Sequence, residues 1–153
     1  MQIDVVTKRD GTEEPYNYEK IQRQIQYACD GIDHVSQSMI ELNMNLELYN
    51  KIPTKVLDQV TEKSAVKLIT STEGHSNYQY VAGRLLNSSL RKEIYGAFEP
   101  WRLYDVVVRN VEAGMYTPDL LEWFTEDEWD LMDSFIDHTK DERMSHAALS
   151  QFV

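Results

Sequence analysis

The chain has 153 residues, 42% of them hydrophobic and 10% aromatic, which is enough apolar material for one domain with a core, or for one domain and an appended segment. Its 26 acidic and 15 basic residues give a formal net charge of -11, which disfavours general binding to nucleic acid or to anionic lipid. The single cysteine, Cys29, excludes an internal disulfide, a CxxC redox pair and a cysteine-rich zinc site.

The first predicted element is a β-hairpin followed by a helix. The runs "IDVVTK" and "EEPYN" flank "RDGT", and Asp10-Gly11 between short extended runs is a turn signal, because glycine accepts the positive φ of such turns. Pro15 marks the second strand as an edge strand. Asn17 is the predicted N-cap of the helix. The helix has Ile21, Ile25 and Ala28 at inward-facing helical spacing, and Gly31 is its predicted end.

Three more helices are predicted before residue 97. The second covers Ser38 to Tyr49, where Ser38 and Glu41 have capping-box spacing, and "NKIPT" is a short connection after it. Thr54 is the predicted cap of the third helix, and "YQYVAGRLLNSSLRKEIYG" is the fourth, closed by Gly96. The third helix has an inward face of Leu57, Val60, Ser64 and Leu68. The fourth helix has small residues that favour close helix packing, namely Ala82, Gly83, Ser88 and Ser89.

The best domain boundary lies in "AFEPWR", because Pro100 begins a helix well but interrupts one badly. We therefore predict two parts, residues 1–97 and 98–153, in a mostly helical α+β protein. Helical segments are predicted in the second part at Leu103 to Glu112, Pro118 to Phe124, Glu126 to Ile136 and Asp141 to Phe152. Neither a basic leader before an apolar core nor an apolar run of roughly 18 residues is present, so we expect a soluble, cytoplasmic chain.

Several cations are candidates for binding a small anion. A nucleoside triphosphate carries about four negative charges, so without a P-loop it needs several cations together with backbone N–H groups, often at a helix start. The chain has no GxxxxGK[ST] sequence. Its candidates are Lys8, Arg9, Lys20, Arg91 and Lys92. Two interpretations stay open at this point: a phosphate clamp, or an ordinary hairpin with solvated cations.

Other constellations are weaker. The four histidines have no ligand spacing, so we expect no metal site. The carboxylates of "EWFTEDEWD" fit a solvated helix face with its tryptophans packed inward better than an acid/base site. Cys29 lies on a helix that is predicted to be half buried, and no Cys/His pair is evident. We therefore expect no catalytic residues in this chain.

The motifs taken together resemble one family. "VVTKRDGTEEPYNYEKI" looks like the opening of the ATP-cone, the regulatory domain at the N-terminus of the large subunit of class I ribonucleotide reductase. The later "YQY", "LRK", "YG" and "FEP", in this order and spacing, extend the resemblance, and the segments from "LYDVVV" to "ALSQF" look like the helical stretch that leads into the catalytic barrel. The resemblance implies a four-helix bundle capped by a short β-sheet, with the nucleotide between cap and helices.

Carried over by position, the resemblance implies specific roles. Lys8, Arg9 and Lys92 would engage phosphates, with Lys20 near the same end of the site. The base and sugar side would be lined by Val6, Glu14, Asn17 and Ile21, and Thr54 and Asp58 would approach from the third helix. Each residue also has an ordinary structural interpretation: Glu14 as a turn residue, Asn17 and Thr54 as helix caps, Ile21 as core, and Lys92 as a solvated lysine near a helix C-terminus.

The chain departs from the family pattern at two positions. Asp58 stands where relatives commonly carry a histidine near the nucleotide, so its negative charge would weaken triphosphate binding or shift the balance between ATP and dATP. Tyr27 replaces a frequent tryptophan, which leaves open whether a second nucleotide binds.

The resemblance also implies a function: ATP or dATP, with Mg²⁺, would bind as an allosteric effector that sets the overall activity of the reductase in deoxyribonucleotide synthesis. The partners would be the remainder of the large subunit and the radical-generating small subunit. Reductase chemistry in this family needs a radical cysteine and a reducing cysteine pair, which one cysteine cannot supply, so we expect no catalysis by this chain alone. The alternatives are a degenerate cone that serves only in protein docking, and a transcriptional regulator, for which the zinc ribbon and basic face are missing.

Overall fold

Three short strands form one mixed sheet in the computed structural model, which describes residues 3–152. β1 (Val5–Thr7) lies in the middle, antiparallel to β2 (Glu13–Pro15) and parallel to β3 (Ile52–Pro53). The predicted hairpin is confirmed, and so is the placement of Pro15 on an edge strand. Gly11 has a φ of 86° at the turn, where a residue with a Cβ would be strained.

The third strand is an addition to the prediction. Its two residues lie within "NKIPT", which was predicted as a plain connection and which is too short to show an alternating pattern. Val6 of β1 is the register partner of both Glu14 and Ile52, so these three residues share one face of the sheet. Val6 and Ile52 are buried in the core, so this face is the one that covers the helices.

Four helices accompany the sheet: α1 (Tyr18–Cys29), α2 (Gln37–Asn45), α3 (Thr54–Lys67) and α4 (Tyr78–Tyr95). Their buried residues include the inward positions predicted for α1 and α3. Tyr78, at the start of α4, is buried and its hydroxyl accepts the N–H of Ser36 at 2.8 Å. The mostly helical α+β fold is confirmed.

The structure confirms one of the predicted N-caps and contradicts two others. Asn17 caps α1, since its side chain accepts the N–H of Lys20 at 3.2 Å. Thr54 is not a cap: β3 keeps the chain extended as far as Pro53, which holds the N-cap position of α3 without a side-chain bond. The capping box at Ser38 is also wrong, because α2 begins at Gln37, and it ends at Asn45 rather than at Tyr49.

Contacts divide the chain into two compact units. The first combines the chain up to Leu90 with the segment from Asp141 onward, and the second is Arg91–Lys140. This division differs from the boundary predicted between residues 97 and 98. Pro100 marks a break in local structure, whereas contacts made across long sequence separations decide which segments pack together. The assignment of residues 1–97 as a regulatory domain and 98–153 as a helical lead-in stays a prediction.

The second unit is built around α5 (Leu103–Glu112) and α6 (Glu126–Ser134), with a 3-10 helix (Pro118–Leu121) between them. The bounds of α5 are as predicted. Thr125 and Glu128 form a capping box at the start of α6, and the ring of the buried Trp129 meets the Tyr104 and Phe124 rings edge-on. None of the helices within residues 3–152 is both long and apolar enough to cross a membrane.

The last segment corrects a prediction. One helix from Asp141 to Phe152 is wrong: the chain forms a 3-10 helix (His138–Arg143), the short α7 (His146–Leu149) and a final 3-10 turn (Ser150–Phe152). Ser145 interrupts the helical path, because its backbone is extended and its side chain accepts the N–H of Ala148 at 3.3 Å as a cap.

Candidate functional site

The turn of the β-hairpin fixes two of the candidate cations. The N–H of Lys8 donates to Thr12 O at 2.8 Å, and that of Gly11 donates to Lys8 O at 3.0 Å. The Asp10 carboxylate accepts both the N–H and the hydroxyl of Thr12, at 2.9 and 2.6 Å, and these bonds lower the pKa of Asp10. Lys8 and Arg9 therefore leave β1 from a turn whose backbone is held by hydrogen bonds on both sides.

Glu14 joins the hairpin to the start of α1. Its carboxylate lies 3.0 Å from Lys8 Nζ and 3.6 Å from Lys20 Nζ. The hydrogen bond from Lys8 is the main cause that lowers the pKa of Glu14, and the charge of Lys20 adds to it. The lysine side chains are 46% and 60% exposed, so both ammonium groups face solvent while they share one carboxylate.

Asp58 holds the second candidate cation. Arg9 Nη2 lies 3.1 Å from Asp58 Oδ2, and Gln24 Nε2 donates to Asp58 Oδ1 at 3.3 Å. Asp58 is only 7% exposed, whereas the side chain of Arg9 is 30% exposed. One buried carboxylate of α3 thus connects the hairpin turn to α1, and the guanidinium reaches solvent from a fixed base.

The N-terminus of α1 lies at the same place. Asn17 satisfies one of the first amides of the helix, and a helix start leaves further N–H groups and a partial positive charge that favour anions. Lys8, Arg9 and Lys20 thus meet at one place in a chain whose overall charge is -11, with Glu14 and Asp58 as their carboxylate partners. A small anion is the chemistry that fits this arrangement.

The structure gathers five of the ten predicted site residues into this cluster: Lys8, Arg9, Glu14, Lys20 and Asp58, beside the Asn17 cap. Val6 and Ile21 lie beneath it in the core. Thr54 is the first residue of α3, one turn before Asp58. Lys92 lies in the last turn of α4 and belongs to the second unit. The ligand roles of all ten residues stay predictions.

Gln24 is a residue that the sequence prediction missed. It lies one turn beyond Lys20 on α1, so the helical spacing could have placed both side chains on one face. Its partner Asp58 is 34 residues away, and Arg9 is 49 residues away from Asp58, distances at which a single sequence carries no pairing signal. Within residues 3–152, His, Cys, Asp and Glu side chains form no group of three that could hold a metal ion.

A comparison with known families decides the identity of this part of the chain, because the profile of the ATP cone domain matches residues 4–93. The chain belongs to the ATP cone domain family. The matched region contains every residue of the cluster, and the cone that this region forms is the sheet-capped helical fold described above.

Curated relatives of the cone are reductase subunits. The chain is 44% identical over 147 residues to the ribonucleoside-diphosphate reductase subunit alpha of Haemophilus influenzae, which covers 96% of this chain and 19% of that protein. The ribonucleoside-diphosphate reductase 1 subunit alpha of Escherichia coli gives the same figures, and the ribonucleoside-diphosphate reductase subunit alpha of Enterobacteria phage T4 is 31% identical over 153 residues, 20% of its length. The chain thus spans about a fifth of the length of these relatives.

Proposed function

We propose that the cone binds the triphosphate of ATP or dATP, with Mg²⁺, and acts as the domain that sets the overall activity of a ribonucleoside-diphosphate reductase. The observation that carries this proposal is the meeting of Lys8, Arg9 and Lys20 at the N-terminus of α1. Family membership and the alpha-subunit relatives support the nucleotide and the enzyme.

Binding would proceed by exchange of ion-pair partners. The pairs of Glu14 with Lys8 and Lys20 are exposed and screened by solvent, so a triphosphate with several charges can replace the single carboxylate. The released Glu14 carboxylate would then be an acceptor for ribose hydroxyls. Arg9 would keep its anchor on Asp58 and offer its exposed N–H groups to a phosphate.

Regulation requires that ATP and dATP stabilise different states, because a ligand with equal affinity for two states shifts neither. The nucleotides differ by one 2′-hydroxyl, and leaving one buried polar contact unsatisfied costs about 1–3 kcal/mol, enough for this discrimination. We propose that ATP permits and dATP inhibits activity, through altered contacts with the remainder of the large subunit and with the radical-generating small subunit. The chain alone would not reduce nucleotides.

The test is titration calorimetry of the chain with dATP and with ATP, each with Mg²⁺. Lys8→Ala should weaken binding about tenfold or more, because it removes a charge-assisted contact worth about 1.5–3 kcal/mol. Lys51→Ala is the matched control: Lys51 pairs with Glu13 at 2.8 Å on the opposite face of the same sheet and is 61% exposed. Equal effects of both substitutions would refute the clamp. Lys92→Ala then tests the phosphate role that the resemblance gives to Lys92.

A second candidate function is a cone that docks to other proteins without nucleotide. The observation in its favour is the buried Asp58, whose carboxylate already neutralises Arg9, one of the expected phosphate ligands. A ligand selective for the folded state must raise its stability, so this alternative predicts no shift of the melting temperature at millimolar ATP or dATP.

A further inference from the structure

The C-terminal end of α1 is held by a side chain from α4. Arg84 Nη1 donates to the carbonyl oxygens of Asp30, Ala28 and Tyr27, at 2.6, 3.3 and 3.4 Å. Its Nε donates to the carbonyl of Glu142 at 3.2 Å. The Tyr27 hydroxyl in turn donates to the Glu142 carboxylate. One guanidinium and one phenol thus fasten the end of α1 to a segment more than a hundred residues away.

That segment, residues 141–152, is called the strap below. A Cβ added to Gly83 of α4 would lie 2.3 Å from Met144 O, so the backbones of α4 and the strap are in direct contact. His146 Nε2 lies 2.7 Å from Glu62 Oε1 of α3, and Leu149 is buried. The strap is therefore fixed to α1, α3 and α4 at separate points.

These contacts give hydrogen-bond donors to the carbonyl groups at the C-terminal end of α1. The last carbonyls of a helix have no partner within it, and no basic residue lies in the last turn of α1. The N–H of Asp30 donates to Tyr27 O at 3.3 Å, and Arg84 adds a side-chain donor for the carbonyls of Tyr27, Ala28 and Asp30 that it shares with the strap. A shift of α1 along its axis would move three carbonyls against Arg84, which also holds Glu142.

α1 connects this point to the candidate nucleotide site. Its 12 residues make a rod roughly 18 Å long, with Asn17 and Lys20 at one end and Tyr27 near the other. A hydrogen-bonded helix moves as a unit, so a displacement imposed on the first turn reaches the last turn. The chain continues without a break from the second unit, which ends at Lys140, into the strap.

We propose that nucleotide binding displaces α1 and that this displacement reaches the strap, which follows the second unit directly in the chain, with Arg84 and Tyr27 as positioning residues. This inference rests on the proposed function, because the displacement is attributed to a nucleotide at the start of α1. The strap is the receiving element, since it contacts α1 through Tyr27, α4 through Gly83 and Arg84, and α3 through Glu62.

Amide hydrogen exchange of the whole chain, with and without dATP and Mg²⁺, tests the proposal. We expect exchange to change in the hairpin and first turn of α1, and also to change about fivefold or more at residues 141–149, which is the lower end of typical coupling between sites. In Tyr27→Phe the response of the hairpin should persist with unchanged affinity, while the response of the strap falls below about twofold.

Tyr49→Phe is the matched control, because Tyr49 is 44% exposed and Tyr27 is 37% exposed, and Tyr49 lies in the connection between α2 and β3, outside α1, α4 and the strap. It should leave both responses intact. A strap response of equal size in wild type and Tyr27→Phe, or a hairpin response with none in the wild-type strap, overturns the proposal. A structural role of Tyr27 alone would alter the exchange of the strap equally with and without nucleotide.

A second arm does not depend on nucleotide. Asn17→Ala removes the cap that orders the first turn of α1, and exchange at residues 141–149 should rise about threefold or more if the rod and the strap move together. An unchanged strap beside a loosened first turn overturns the coupling. If dATP changes no amide at all, the proposed function fails, and this arm still decides whether α1 and the strap are coupled.

Discussion

Asp58 affects both the stability of the cone and the charge beside the candidate phosphate ligands. Its buried carboxylate accepts from Arg9 and Gln24, so it connects α3 to the hairpin and to α1. The resemblance to the family implies a histidine at the position of Asp58, and the structure shows how an acid is accommodated there: a guanidinium and an amide compensate a charge that would otherwise be costly to bury.

Substitution of this acid should separate the two effects. Asp58→Asn keeps the shape but removes the charge, so we expect the free energy of unfolding to fall by about 1–2 kcal/mol. Triphosphate affinity should rise about fivefold, because a negative charge near the phosphates disappears. Urea denaturation and calorimetry measure the two quantities, with Glu13→Gln, an exposed acid paired with Lys51, as the control. Weaker binding by Asp58→Asn would mean that the carboxylate is needed to aim Arg9.

The only thiol gives a prediction for pH. Burial raises the pKa of Cys29 from 9.0 to about 11, an effect that Arg84 opposes and Glu41 reinforces. Because the unfolded chain ionises first, the contribution of Cys29 to stability is complete below about pH 9 and is lost as the pH rises towards about 11.

Unfolding measured from pH 8 to 11 should therefore show a decline that is smaller in Cys29→Ala. A residual decline is expected, since burial also raises the pKa of Tyr78 and Tyr16. Alkylation of the native thiol by iodoacetamide should still accelerate beyond pH 9, because the thiolate is the reactive form. An alkylation profile with a midpoint near 9 would show that the thiol is not protected by the fold.

At the scale of elements, Gly83 on α4 is a helical glycine whose replacement by alanine should destabilise the protein. Glycine to alanine inside a helix normally stabilises it by about 1 kcal/mol. Here the added methyl would overlap a backbone carbonyl of the strap, which cannot rotate away. We expect Gly83→Ala to lower the free energy of unfolding by about 1–3 kcal/mol, the usual cost of overpacking.

Ser89→Ala, at a partly exposed position of the same helix, is the control for helix propensity and should be neutral or slightly stabilising. Both variants are compared by urea denaturation. A more stable Gly83→Ala protein would show that the strap yields without cost, which would also weaken the proposed transmission through it.

Local signals predict elements well where a short stretch contains the reason for the structure. Asp10-Gly11 gives the turn, Asn17 gives the start of α1, and Leu103 to Glu112 gives α5. The predictions fail where a distant segment decides. β3 exists because β1 lies beside it, and the same pairing moves the N-cap of α3 from the predicted Thr54 to Pro53.

At the scale of the whole molecule, the strap makes the first unit discontinuous in sequence. A chain that ends at Lys140 should lose about 2 kcal/mol or more of the stability of this unit, since burial of a leucine such as Leu149 alone contributes about 1.5–3 kcal/mol. Thermal unfolding and the exchange of α1 amides measure the loss. A chain ending at Ser150, which lacks the exposed Phe152, is the control and should unfold like the intact chain.

The overall charge and the local charge have different consequences. A net charge of -11 disfavours polyanionic partners over the whole surface, whereas Lys8, Arg9 and Lys20 gather at the start of α1. The acidic chain is therefore compatible with a small anion at one place only if the cations converge there. Composition alone cannot show that convergence.

The sequence by itself determined the mostly helical fold with its hairpin, the membership in the ATP cone family and the candidate cations, because these depend on local periodicity, turn chemistry and motifs within short stretches. Only the tertiary structure decided the pairing of Arg9 with Asp58, the third strand and the attachment of the strap to α1 and α4. Those contacts join residues tens of positions apart, and their free energy depends on burial and geometry that exist only after the chain has folded.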